Sequence, residues 1–405
     1  MRRLTIVFFD AGGGHRNAAE ALKSTLEEQD SWQVSLLNLQ ELLDSVDIVR
    51  GVTGVRTQDA YNLVLRKGWT RFSPQLLPPL QRLIRLYHGR IVKLLQGYWA
   101  QNPADLVLSV IPHFSRALAE SIREALPDVP FVTMLTDFAD YPPHFWIERE
   151  SEYIICGTEF AKQQALSMGH PPEKIFETSG MVLKPRFYRK PAVDRDAERE
   201  RIGLAPGVPT GLVLFGGHGS SLMVEIAERL DESPAEVQLI LLCGHSEKIR
   251  GELQALPLKK RMVPIGFTAE VDYYMALADF FIGKPGPGSI SEALQFHLPV
   301  VVERNGRTMP QERYNTEWLQ EKRLGIVLSS FKEIASGVDR LLVPATFAEL
   351  CRNATAYCNR ALFEVPVILD SVFERHRTSF ATRAQSAAAG SSVMEAGGAS
   401  WAALT

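Results

Sequence analysis

The chain has 405 residues, enough for two domains of ordinary size with a core in each. Its 45% hydrophobic and 22% charged content is that of a soluble globular protein, and a formal net charge of −3 excludes a general nucleic-acid binder. Cys156, Cys243, Cys351 and Cys358 lack metal-ligand spacing and read as reduced structural thiols, so no metal site is expected.

The N-terminus, Met1-Arg2-Arg3, is too short for a signal peptide and runs straight into an apolar stretch, Leu4–Phe9. Similar β-branched runs follow at 34–39, 106–111, 131–135 and 153–156, and in the second half at 212–215, 238–242, 262–265, 280–283, 300–303 and 325–328. Helical patterns separate them, which predicts βαβ units and parallel sheets, an α/β class. No apolar run reaches the roughly 20 residues of a spanning helix.

Asp10-Ala11-Gly12-Gly13-Gly14-His15 joins the first strand to a helix over about 16–26. A dinucleotide fingerprint fails here: Asn17 stands at the third glycine position, and Asn38, not an acid, ends the second strand. Gly13 and Gly14 instead let a bulky substrate lie against the backbone, with the His15 imidazole in the cleft to take a proton from an attacking hydroxyl. The 50–97 stretch carries Arg82, Arg85, Arg90 and Lys93 among aromatic and aliphatic residues, with one acid, Asp59. That mixture suits an anionic bilayer surface, and equally a solvated helix face.

Two later strand ends are polar. Pro112-His113 follows 106–111; Thr136-Asp137 follows 131–135, with His144 and Trp146 beyond. Asp137 can orient His15 or a substrate hydroxyl, or cap a following helix. Residues 184–209 hold four prolines and no apolar period, which marks a linker between a first domain, 1–183, and a second, 210–382. The Ala/Gly/Ser-rich tail, 383–405, reads as disordered.

In the second domain, Gly216 to Ser221 is a strand-to-helix glycine loop able to touch phosphate through Gly217. The strand 280–283 ends in Lys284-Pro285-Gly286-Pro287-Gly288-Ser289, which opens a helix. Free N–H groups and the positive helix end make an anion site there. Gly286 and Gly288 admit a phosphate to the backbone, and Glu292, one turn in, can accept from ribose hydroxyls. After the next strand, Gln311, Glu312 and Asn315 suit the hydroxyls of a sugar. The order fits a nucleotide-sugar site.

These motifs together resemble the monogalactosyldiacylglycerol synthases and bacterial diacylglycerol glucosyltransferases, and more distantly the GlcNAc transferase of the peptidoglycan lipid intermediate. The resemblance runs from Leu4 to about Phe380. It implies a GT-B fold, two Rossmann-like domains facing across a cleft, and inverting, metal-independent transfer from UDP-glucose or UDP-galactose to diacylglycerol. The protein would then sit peripherally on the cytoplasmic face of a membrane. It implies His15 as base and Asp137 as the cleft aspartate. Lys284, Gly288 and Ser289 would lie by the diphosphate, Glu292 at ribose, Phe267-Thr268 at uracil, and Gln311, Glu312 and Asn315 at the donor sugar. Pro310, Glu303 and Arg304 depart from the family pattern close to that sugar. Transfer to another lipid or a polyprenyl-linked acceptor, a UDP-sugar 2-epimerase, and a sugar-nucleotide-binding regulator are the alternatives.

Overall fold

The computed structural model describes residues 1–10, 14–44 and 73–378, with side chains omitted at 44 and 73–85. Gly13, the 45–72 part of the basic stretch, the tail and the side chains of Arg82 and Arg85 lie outside what it describes.

Among the described residues twelve strands form two six-stranded parallel sheets. The first contains β1 (Arg2–Phe8), β2 (Trp32–Asn38), β3 (Leu106–Ser109), β4 (Phe131–Met134), β5 (Tyr153–Cys156) and β6 (Ile175–Glu177), in the order β2-β1-β3-β4-β5-β6. The second contains β7 (Thr210–Leu214), β8 (Gln238–Leu242), β9 (Met262–Ile265), β10 (Phe280–Gly283), β11 (Val300–Glu303) and β12 (Gly325–Leu328), in the order β12-β11-β10-β7-β8-β9. β3, β4, β5, β8 and β10 are buried along their whole length, because helices cover both faces. That is why they read as continuous apolar runs. β6 escapes such a reading: it is three residues long, and only Ile175 is buried.

Each sheet reverses its winding once, between β1 and β3 in the first and between β7 and β10 in the second. Loops at such a reversal part and leave a crevice beyond the strand ends. His15 follows β1 and His113 follows β3; the loops at 215–221 and 284–288 follow β7 and β10. All four glycine- or histidine-bearing loops therefore stand at a topological switch point.

Two boundaries differ from the composition-based division. A helix over residues 361–378 belongs to the first domain by packing, although it follows the second in sequence. Leu362, Val365, Leu369 and Val372, each fully buried, join the cluster of Leu4, Ile6, Trp32 and Val34. Asp370 fastens the contact, accepting from Trp32 Nε1 at 3.0 Å and Arg2 at 2.9 Å. Nor is 184–209 a free linker. Arg199, 5% exposed on the Arg195–Arg201 helix, donates to the Leu277 carbonyl and to Asp279, which also accepts from the Thr210 N–H. Proline and charge density signalled a break, but these charges dock the segment onto the second sheet.

The described end of the basic stretch is the C-terminal part of the Ser73–Gln101 helix. Ile91, Val92, Leu95 and Trp99 are buried with Ala117, Leu118 and Ile122 of the neighbouring helix, and Trp99 Nε1 donates to Ser121 at 3.0 Å. Leu86, Arg90 and Lys93 occupy the opposite, exposed face. Among the described residues no helix is long and apolar enough to cross a membrane.

Candidate active site

The site is assembled from strand ends of both domains. On the first side, His15 stands in the first turn of the Gly14–Glu28 helix. Its Nδ1 lies 3.1 Å from Thr136 Oγ1, at the end of β4, and its ring 5.7 Å from that of Trp146. Desolvation holds the imidazole down to about 4, a hydrogen bond to the Val110 backbone opposing in part. His15 is therefore neutral at pH 7 and able to receive a proton.

Asp137 is the second element. Its Oδ2 accepts from Trp146 Nε1 at 2.9 Å, so it caps no helix; the indole takes that place. Desolvation pushes the Asp137 carboxyl up to about 7; the Trp146 N–H opposes this, Glu312 adds to it and Lys284 opposes it. Glu312 and Lys284 come from the second domain. The Asp137 carboxyl thus feels charges from across the cleft.

Trp146 is placed by a residue that sequence reasoning missed. Asp140, 2% exposed, accepts backbone N–H groups of His144 at 2.9 Å and Trp146 at 2.6 Å, and more weakly of Ile147 at 3.4 Å. Its own backbone is gripped at both ends by Gln164, whose Oε1 accepts from the Asp140 N–H and whose Nε2 donates to its carbonyl. One carboxylate so folds the 140–147 loop back under Asp137. An aspartate followed by Tyr141-Pro142-Pro143 was the available signal, since such a loop has backbone N–H groups to satisfy. Trp146, expected in the cleft, is fully buried behind it, while His144 is exposed at φ +64. His113 also adopts positive φ, +70, packs edge-on to Phe145 at 4.3 Å, and is driven down to about 4 by desolvation. Its Nε2 is buried without a partner.

On the second side, Gly286 caps the Pro287–Gln295 helix with extended backbone, and Pro287 occupies the first helical position, where it has no N–H to lose. The N–H groups of Gly288 and Ser289 then head the helix. Above Gly14, Gly217 and Gly288 a β-carbon would meet nothing within 4 Å, so there is open space over all three. Lys284 Nζ lies 3.1 Å from Glu312 Oε1, and Glu312 is only 5% exposed. Asn315 is fully buried, and its Nδ2 donates to the Pro285 carbonyl at 2.8 Å. Its side-chain nitrogen braces the turn after β10, while its Oδ1 is buried with no hydrogen-bond partner. Gln311 is half-buried, with Nε2 3.7 Å from Met309 Sδ.

Desolvation raises Glu292 to about 7, with Lys184 and Arg186 opposing it. Those cations belong to the crossing between domains; Lys184 also pairs with Glu20 at 3.3 Å, and Arg186 donates to the Ala269 carbonyl beside Thr268. Phe267, 61% exposed, stacks on His245 with centroids 3.9 Å apart, and Thr268 Oγ1 accepts from the Glu270 N–H. The departures near the sugar are structurally engaged. Pro310 starts the Pro310–Glu321 helix, Glu303 accepts from the Phe331 N–H, and Arg304 pairs with Glu317. Two aromatic contacts bind the domains beside the cleft: Phe160 stacks on Tyr314 at 4.2 Å, and Phe138 meets Trp318 edge-on at 4.7 Å. Among the described residues no three His, Cys, Asp or Glu side chains gather as a metal site.

Two parallel-sheet, Rossmann-like domains meeting at their switch points define the GT-B fold class. Solved structures agree on the fold. Acinetobacter baumannii MurG superposes with a TM-score of 0.60 at 14% identity, over 91% of this chain and 99% of that one. A putative UDP-N-acetylglucosamine 2-epimerase from Listeria monocytogenes gives 0.60 at 15%, over 92% and 97%. Residues 15–182 match the monogalactosyldiacylglycerol synthase family model, and residues 212–348 that of the glycosyltransferase family 28 C-terminal domain. In this domain content the chain is similar to the monogalactosyldiacylglycerol synthases. Among its relatives is the probable monogalactosyldiacylglycerol synthase 2 of Oryza sativa subsp. japonica, 27% identical over 356 residues, which are 84% of this chain and 73% of that protein. The Spinacia oleracea synthase is 26% identical over 361 residues, 85% and 66%.

Proposed function

We propose that this glycosyltransferase moves a hexose from a UDP-sugar to diacylglycerol with inversion, at a membrane surface and without a metal. The observation that carries the reading is that Asp137 of one domain lies within electrostatic reach of Lys284 and Glu312, an ion pair of the other. This supports a proton acceptor and an anion site sharing one space. In the proposed step the acceptor hydroxyl oxygen bonds to the sugar C1 as the C1–O bond to the diphosphate breaks. Neutral His15 takes the hydroxyl proton, and ionised Asp137 balances the positive charge that develops. The departing diphosphate is met by Lys284 and by the N–H groups of Gly288 and Ser289, the role elsewhere filled by a cation. Glu292 holds ribose, Phe267 and Thr268 the base, and Gln311 with Glu312 the sugar. Gly13 and Gly14 give the acceptor room, with His113 and His144 beside it.

The UDP-sugar part draws support from the Anabaena HepE structure in complex with UDP and glucose, a neighbour with a TM-score of 0.52. The acceptor part draws support from the synthase relatives. Incubating the protein with UDP-glucose or UDP-galactose and diacylglycerol vesicles, then weighing the lipid product by mass spectrometry, tests both. A hexosyl-diacylglycerol is expected. Turnover of UDP-sugar to an epimer without any lipid product would overturn the reading.

A further inference from the structure

The parallel strands of the first sheet all point their carboxyl ends at the cleft, so the residues leading into β5 and β6 lie at the far end of the domain. There, residues 149–152 and the turn 168–174 enclose a groove of about 350 Å³ lined by Arg149, Ser151, Glu152, His170 and Lys174. Ser151 is 4% and His170 8% exposed. Ser151 Oγ and His170 Nε2 are buried there with no hydrogen-bond partner. The other edge of the His170 ring is engaged with the Glu148 backbone, so Nε2 is the atom left over. Two orphaned polar atoms in one groove are unusual, because folded proteins satisfy such groups or use them.

Arg149 and Lys174 bring two positive charges to the same groove. Glu152, in the same groove, offsets them only in part. Its Oε2 accepts from the Phe131 N–H at 3.2 Å, and its Oε1 lies 3.5 Å from His376 Nδ1 but a loose 3.9 Å from Lys174. The Arg149 guanidinium and the Lys174 ammonium in the groove, with the Ser151 hydroxyl and the His170 imidazole nitrogen buried beneath its surface and Glu152 beside them, suit a tetrahedral, protonatable oxyanion better than a planar carboxylate. The imidazole nitrogen can meet a protonated phosphate oxygen, or donate once protonated itself. The volume exceeds that of one phosphate and leaves room for an attached group of glyceryl size.

We propose that this groove binds a phosphate or phosphomonoester group, at a site separate from the donor cleft and independent of the reaction assigned to that cleft. Calorimetric titration of the full chain with inorganic phosphate and with glycerol 3-phosphate tests it. Flotation with phosphatidylcholine vesicles, with and without a phosphomonoester lipid, distinguishes a soluble ligand from a lipid headgroup. Saturable binding in either arm is expected. It should weaken at least fivefold in Ser151→Ala and in Lys174→Gln, while Lys284→Gln leaves it unchanged. Unaltered thermal melting of the Ser151→Ala protein keeps a folding defect from imitating the result. No saturable binding in any arm, or weakening confined to Lys284→Gln, would overturn the proposal.

Discussion

The indole N–H of Trp146 points at Asp137 Oδ2 from 2.9 Å, and it is the main influence holding that carboxyl down against desolvation. Removing the donor while keeping an aromatic ring, as in Trp146→Phe, should therefore raise the Asp137 pKa above its present value of about 7. If ionised Asp137 is needed, the acid limb of kcat/KM stands near pH 7 in the native protein and moves upward in the variant. Activity at pH 7 should fall several-fold and recover in part by pH 9. An acid limb that stays put in Trp146→Phe removes Asp137 from the proton inventory of the reaction.

The same carboxyl makes a statement about stability. Its folded pKa of about 7 lies above the ordinary 3.8, so the folded state holds a proton that the unfolded chain releases. Stability then declines as pH rises from about 4 to about 7, and the deficit persists above that. At about 1.4 kcal/mol per unit the ceiling is on the order of 4 kcal/mol, reduced by whatever water reaches the cleft. Asp137→Asn should accordingly melt above the wild type at pH 8 and with it at pH 4, while losing transfer. Thermal melts at the two pH values decide this; equal midpoints at pH 8 would contradict the raised pKa.

Much of this arrangement was legible in the sequence. Eleven apolar runs correspond to eleven of the twelve strands among the described residues; in β3, β4, β5, β8 and β10, buried on both faces, there is no polar alternation to blur them. Lys284 to Ser289 announced a helix start, since proline is favoured at the first helical position. What could not be read were long-range partnerships. Asn315 has the residue type of a sugar ligand, but only the fold shows its amide nitrogen engaged with Pro285. Asp140 looked like one more loop acid, and its grip on the 144–147 backbone appears only once the loop closes. The return of 361–378 to the first domain was equally hidden, because an amphipathic stripe specifies that a face is buried, not against what.

His15 and Lys284 should separate kinetically. His15→Ala removes a proton acceptor that touches Thr136, on the opposite domain from the anion turn. Transfer is expected to fall by about 10²–10⁴-fold with UDP affinity nearly intact. Lys284→Ala should act on UDP binding, and it should also raise the Asp137 pKa, because Lys284 is one of the influences that lower it. Calorimetry with UDP and a pH–rate profile on both variants give the two readouts. Retention of more than half the activity in His15→Ala would refute its role as base.

The exposed face of the Ser73–Gln101 helix supplies the last test. Leu86, 79% exposed, and the exposed Arg90 and Lys93 lie on one side, and the buried Ile91, Val92, Leu95 and Trp99 on the other. The buried side fixes the helix to the domain, so the cationic side presents a rigid surface with an apolar residue at its edge. Near an anionic bilayer each cation contributes about 1 kcal/mol. Arg90→Gln with Lys93→Gln should thus weaken binding to anionic vesicles roughly 20- to 30-fold. High salt should release the wild type as well, since the Debye length shrinks to about 3 Å at 1 M. Transfer to a short-chain, water-dispersed acceptor should persist, because neither side chain belongs to the cleft. Vesicle binding as tight as the wild type's in the double variant would make this side of the helix a solvated face, and the membrane contact would have to be sought elsewhere on the chain.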